Sequence, residues 1–351
     1  MTKNNTCDII FLLNKYIFIQ IKESQMNSLK YNHVIFGYDT DLYRIPFGDI
    51  NKLDNAVYLY KPIDSDSRVL TLLYKAHTTK KINSFIKLPF KSIWNPMMFR
   101  HKFGNGLPIC FTFLIRRCDL VEQGLIGYLK KQYPGSKFVC FYTDVMKTCL
   151  KYDLDRIRRE FDLLLTFDQA DAEKYGLVYH PLVYSQTDIP DNDATDPCDV
   201  FFVGHAKNRL DDILTAYEKL RGAGLKCDFH ISGVAERDRR FADEIDYCDK
   251  MPYTENLQRI KKSRCMLEIM QKGGHGFTLR ACEAIAFDRK LLTNNPEVAN
   301  APFYSPDAVS VFTDPNSIDT DFVKSGGQNT DYGYKEQLSP VHLLEFIESR
   351  I

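Results

Sequence analysis

Residues 271–295, QKGGHGFTLRACEAIAFDRKLLTNN, run a glycine-rich loop into a helix and follow that helix at once with a short apolar stretch. A loop, helix and strand in this order present free backbone N–H groups at the helix start, where they hold an anion. Arg280 and Glu283 stand three residues apart and so share a helix face, which makes a plain ion pair the rival reading. Against that rival stand Leu279, Ala281, Cys282, Ala284, Ile285 and Ala286, nearly all apolar. An ionic group in such a helix needs a specific partner. Glu283 lies too deep to touch an anion held at the helix start. A ligand with a phosphate end and a hydroxylated end satisfies both groups.

Upstream of this unit the same alternation repeats. CDVFFVG reads as a strand, NRLDDILTAYEKL as a helix with Leu210, Ile213, Leu214, Tyr217 and Leu220 on one face, and CDFHISG as a second strand. Gly222 and Gly224 terminate that helix. TENLQRIKKS (helix) and CMLEIM (strand) lead into the loop, and KLLTNN and AVSVF follow as strands. The first strand ends in Gly204 and delivers His205, Lys207 and Arg209 to the next helix start, a cationic setting that suits a diphosphate. A solvated helix start is the plainer alternative.

The first half shows the pattern again. HVIFGYD, AVYLY, ICFTFLI, KFVCFYTD, DLLLTF and LVYHP are strand candidates, and CDLVEQGLIGYLKKQYPG carries Val121, Leu125 and Leu129 at helical spacing. Apolar strands separated by helices indicate parallel sheets. Residues 62–105 are less regular and read either as a long loop or as a pair of short helices. Trp94, Phe90, Phe99 and Phe103 there read as core, with an acceptor platform or a membrane-facing patch as rivals. SQTDIPDNDATDPCD (185–199) has two prolines and five aspartates and fits a linker. The division is therefore an extension at 1–30, a first lobe at 31–184, a linker at 185–199, a second lobe at 200–338 and a final helix at 339–351. Within the extension, CDIIFLLNKYIFIQI is broken by Asn14 and Lys15 and is shorter than the roughly 20 residues of a membrane span. Met26 is an alternative start.

The chain has 351 residues, 44% hydrophobic and 26% charged, with 46 basic and 46 acidic side chains. Zero net charge argues against a general nucleic-acid binder. Ten cysteines occur singly with no CxxC pair, which disfavours a zinc ribbon and fits buried thiols in a reducing cytoplasm. Asp39 and Asp41 follow the first strand in FGYDTD, where they read as candidate bases or as turn and capping residues. DxD spacing recurs at 64–66, 191–193 and 319–321, so a metal-binding reading of any one of them is weak. KGGHG lacks the Gly-Lys-Ser/Thr of a phosphate-binding P-loop, and neither half opens with GxGxxG.

HGFTLRACEAIAFDRKLLTNN, in its strand–loop–helix–strand setting, resembles the donor-binding signature of GT-B glycosyltransferases. The likeness is to group-1-like enzymes of bacterial surface-polysaccharide and spore-coat assembly. It covers the second half in element order and is weaker in the first, where it rests on FGYD and DLLLTFDQADAEKYG. It implies two Rossmann-like domains facing across a cleft and transfer of a sugar from a nucleotide-diphosphate donor. It also implies no cofactor and no metal, a glycan or lipid-linked acceptor as in lipopolysaccharide or capsule synthesis, and a cytoplasmic place with peripheral contact at the membrane's inner face. By position, Glu283 matches the glutamate that binds donor ribose hydroxyls. His275 stands where many retaining members carry another glutamate, a departure that leaves the sugar contact and the stereochemistry open. Gly273, Gly274, Gly276, Phe277 and Thr278 would cradle the diphosphate with Lys272, Arg280, Lys207 or Arg209, and Asn294 and Asn295 are lesser candidates for the sugar. A sugar-nucleotide binder without turnover and a sugar-nucleotide epimerase are the alternatives.

Overall fold

Alternating side chains on short apolar strands build two parallel sheets. The structure, a computed structural model, describes residues 29–86, 88–114, 120, 123–146, 154–192, 195–249, 251–271, 276–326 and 330–351. The first lobe contains β1 (Asn32–Phe36), α1 (Asp41–Arg44), β2 (Ala56–Leu59), α2 (Arg68–Thr78), α3 (Lys80–Phe85), β3 (Ile109–Leu114), α4 (Leu125–Gln132) and β4 (Lys137–Tyr142). It is completed by α5 (Leu154–Glu160), β5 (Leu163–Thr166), α6 (Gln169–Tyr175) and β6 (Val178–Tyr179). The second lobe contains β7 (Cys198–His205), α7 (Leu210–Gly222), β8 (Cys227–Ser232), α8 (Tyr253–Lys262), β9 (Ser263–Glu268), α9 (Leu279–Ala286) and β10 (Lys290–Thr293). β11 (Val309–Val311), α10 (Thr320–Lys324) and α11 (Pro340–Glu348) follow.

The first sheet runs β2-β1-β3-β4-β5-β6 and the second β11-β10-β9-β7-β8, with every pairing parallel. Period-two alternation splits each strand between two cores. Val34, Phe111, Phe138 and Cys140 face Trp94, Leu125 and Leu129, while Ile35, Cys110, Val139 and Phe141 face the opposite side. In the second lobe Val200, Phe202 and Leu267 pack under α7, while Phe201, Met266 and Leu291 pack under α8 and α9. Both faces are thus covered by helices or connecting segments, as a parallel sheet requires.

α11 begins at the Ser339 cap with Pro340 in its first turn, and it leaves the second lobe to pack on the first. Leu343, Leu344 and Ile347 enter the core beneath β1, β3 and β4. Leu29 joins the same core. The polar stretch after β6 is anchored rather than loose. Ser185 donates to the Pro46 carbonyl and accepts from the Asp49 N–H, and β7 takes in Cys198 and Asp199 at its end.

One helix start and one aromatic residue differ from the sequence expectation, and the irregular stretch takes the short-helix form of its two readings. α4 starts only at Leu125, because Gly124 takes a left-handed backbone (φ 75) that no right-handed helix contains; Val121 lies outside the described residues. Residues 62–105 hold α2, α3 and a 3-10 turn at Lys91–Met97, with Trp94 and Phe99 buried, Phe103 packed on the core and Phe90 exposed.

Candidate functional site

The order of the second sheet places β8 on one side of β7 and β9 on the other. Ligands of open parallel sheets bind where the strand order reverses, beyond the C-terminal strand ends. Two arginines occupy that place. Arg209, the residue before α7, reaches across to donate to the Ile269 carbonyl just past β9, and also donates to the His205 carbonyl. Arg280, in the first turn of α9, reaches the other way and donates to the Val203 carbonyl of β7 at 2.7 Å. Each guanidinium is thereby fixed by the neighbouring strand. Gly204 permits this close approach, since a Cβ there would lie 3.1 Å from an Arg209 nitrogen.

The two cations leave donors over. Arg209 Nε and Arg280 Nη1 are buried with no hydrogen-bond partner among the described residues. Burial, and next the nearby charge of Arg280, hold the Arg209 pKa below its ordinary value, with Glu268 opposing. Like charges held together out of water need an anion. Glu268 is not a free one, because its carboxylate accepts from both Thr278 and Thr293. Thr278 also caps α9, its hydroxyl accepting from the Arg280 N–H at 3.0 Å.

Glu283 sits about one turn further in, 2% exposed. One oxygen accepts from the Tyr253 hydroxyl at 2.8 Å and from Asn256 at 3.4 Å, and the other lies 3.7 Å from Arg280 Nε. Burial raises its pKa, with the Arg280 charge opposing. The carboxylate is therefore turned toward the start of α8, and Tyr253 in turn meets the Tyr184 hydroxyl at 3.0 Å where the chain passes between the lobes. Tyr253 and Asn256 escaped the sequence reading, which had no means of pairing α8 with α9. Their spacing, i and i+3 at a helix start behind Pro252, was the available signal.

The remaining candidates spread around this centre. Gly276 takes φ 77, donates to Glu297 at 2.8 Å, and has its carbonyl held by Asn295. It abuts the Phe167 carbonyl and Asp168 beyond β5 of the first lobe, so the strand ends of the two sheets face each other here. Phe277 packs edge-on against Phe303 as part of the wall. Asn294 accepts from the Met270 N–H. Asn294 and Asn295 therefore both support the loop. His205 and Lys207 are exposed, and the Lys207 N–H donates to the His205 ring at 3.3 Å. Lys272, Gly273, Gly274 and His275 lie outside the described residues. Asp39 and Asp41 flank the start of α1, both exposed, 3.7 and 4.0 Å from Arg44. α1 touches α8, which brings these aspartates to the same interlobe region as Tyr253.

No protein-family model matches the chain, and no curated protein matches it. Among solved structures, the UDP-forming α,α-trehalose-phosphate synthase of Burkholderia vietnamiensis superposes with a TM-score of 0.50 at 8% identity, over 92% of this chain and 99% of that one. The MnaA–UDP complex of S. aureus gives 0.45 at 10% identity, over 92% and 98%. A mutant of S. aureus TarM solved with UDP gives 0.44 at 10%, over 69% of this chain and 54% of that one. At such identities the likeness bears on architecture alone. The synthase, the two parallel sheets and their facing strand ends agree on it: the chain has the GT-B fold of two Rossmann-like lobes.

Proposed function

We propose that the chain is a glycosyltransferase that moves a sugar from a nucleotide-diphosphate donor to a glycan or lipid-linked acceptor of surface-polysaccharide type. The observation that carries this reading is the Arg209–Arg280 pair at the strand-order reversal, with buried N–H groups that have no partner among the described residues. In this reading the diphosphate lies against both guanidiniums and the start of α9. Cleavage of the anomeric C–O bond leaves negative charge on the diphosphate, and fixed positive groups stabilise that charge more in the transition state than before it. They provide the neutralisation for which other transferases use a metal. The acceptor oxygen forms the new bond to the anomeric carbon, and its proton passes to a base; Asp39 and Asp41 are the described carboxylates assigned this role. Glu283 binds the ribose hydroxyls once they displace the Tyr253 hydroxyl, with Asn256 keeping the carboxylate oriented. The donor sugar is a substrate, so no resident cofactor enters the scheme. The free buried thiols of the described residues fit a reducing, cytoplasmic setting.

Nucleotide-sugar binding without turnover is the second reading, favoured by the engagement of Glu283 with α8. Donor-hydrolysis and transfer assays separate the two. Transfer predicts nucleotide release that Glu283→Ala abolishes and a thermal shift with uridine, guanosine, cytidine or thymidine diphosphate in the absence of added metal. A thermal shift with no release from any sugar donor, with or without glycan acceptors, supports binding alone.

A further inference from the structure

Most large apolar side chains that the described residues leave exposed fall between Val69 and Ile93 of the first lobe. On α2, Val69 and Leu72 are each 68% exposed, and Leu73 beside them completes an i, i+3, i+4 stripe. Leu70 and Tyr74 occupy another side of the helix and pack inward. Phe85 at the end of α3 is 91% exposed and Phe90 is 77% exposed. Phe90 also has a left-handed backbone (φ 58), an uncommon conformation for a bulky residue that its own burial does not repay.

This surface is built, not frayed. Tyr74 meets Trp94 edge-on with centroids 5.6 Å apart. His77 accepts from the Trp94 indole at 2.9 Å and bonds the Pro89 carbonyl at 2.9 Å through its other nitrogen. Asn83 ties α3 back to the His77 and Thr79 carbonyls and accepts from the Leu88 N–H. Three segments packed on one another therefore hold the apolar side chains outward.

The charge on this stretch has one sign. Between Ser67 and Ile93 there are six Lys or Arg residues, and no Asp or Glu occurs from Ser67 to Cys118. Arg68, Lys75 and Lys81 are exposed and form no ion pair among the described residues. Protein–protein interfaces are depleted in lysine, whereas apolar insertion rimmed by lysine and arginine is the chemistry of an anionic bilayer surface. We infer that α2, α3 and the turn carrying Phe90 and Ile93 form a docking face for a membrane bearing anionic lipid. The face inserts Val69, Leu72, Phe85 and Phe90 at headgroup depth while its lysines meet the phosphates. This gives a location to the peripheral contact expected for a lipid-linked acceptor, but it stands on its own observations.

The test is co-sedimentation of the full chain with vesicles of phosphatidylcholine, with and without phosphatidylglycerol. Partition is expected to be about tenfold stronger with phosphatidylglycerol and to weaken with salt. Phe85→Ser with Phe90→Ser, and Lys75→Glu with Lys81→Glu, should each reduce it about tenfold. Melting temperature and nucleotide binding should stay unchanged, so a failure here is distinguishable from a failure of the donor site. Absence of partition, equal partition on both vesicles, or variants that partition like the wild type would overturn the inference. So would variants that change the oligomeric state instead, or binding lost only on deletion of residues 1–28.

Discussion

Arg280 is held by the Val203 carbonyl and by the fringe of Glu283, yet keeps a buried nitrogen without a partner among the described residues. A side chain fixed in this way is pre-organised, so its removal affects binding more than folding. Arg280→Ala is expected to weaken nucleoside diphosphate binding by about 10–100-fold, the range of a lost charged hydrogen bond, as read by calorimetry. Glu283→Gln keeps an acceptor for Tyr253 and should bind diphosphate normally while losing preference for nucleoside over inorganic diphosphate. Both residues were legible in the sequence as chemistry, because an arginine and a glutamate in an apolar helix need a reason. Their direction was not legible, since Glu283 faces α8 through a contact made only when the lobe folds. His180 lies at the other extreme, buried beside Phe141 and Phe346 with its pKa lowered to about 4 by burial. A histidine whose folded pKa falls below its unfolded value near 6.5 favours the folded state at higher pH. Stability is therefore expected to fall as pH drops from about 6.5 toward 4. Urea midpoints of His180→Phe across that range should show a flatter profile.

At the level of elements, α11 couples the chain's last residues to its first strand. Glu348 accepts from the Lys30 and Tyr31 N–H groups and meets His33 Nε2 at 3.0 Å. These hydrogen bonds, led by that to His33, hold its pKa below the ordinary value although burial opposes them. A depressed carboxylate stabilises the fold above its unfolded pKa and loses that contribution as pH falls through the folded one. Glu348→Ala should cost about 2–4 kcal/mol, because it leaves a buried imidazole and two N–H groups without their acceptor; the urea midpoint at neutral pH checks this. The strands were readable because β-branched and aromatic runs bounded by breakers repeat along both halves. α2 and α3 were not resolved, since their outward faces carry Val69, Leu72 and Phe85 where a soluble helix would place polar groups. Helical amphipathicity therefore gave no clear inward stripe there.

At the scale of the molecule, two parallel sheets meet with their C-terminal ends opposed, touching where Gly276 abuts Phe167 and where α1 meets α8. The pattern of alternation made two α/β lobes readable, because each lobe buries a sheet on both faces. Which strand ends meet across the crevice depends on contacts between distant segments that no local pattern encodes. The central claim is that the crevice holds a diphosphate on Arg209 and Arg280, and titration calorimetry of uridine and guanosine diphosphate without divalent metal tests it most directly. At least one of them is expected to bind the wild-type chain, with a loss of about 100-fold or more in Arg209→Ala/Arg280→Ala. That variant also strands the Val203, His205 and Ile269 carbonyls and the buried Glu283, so both proteins are compared at a temperature where circular dichroism shows each folded. Equal affinity in the two proteins would mean that the diphosphate does not lie on these arginines.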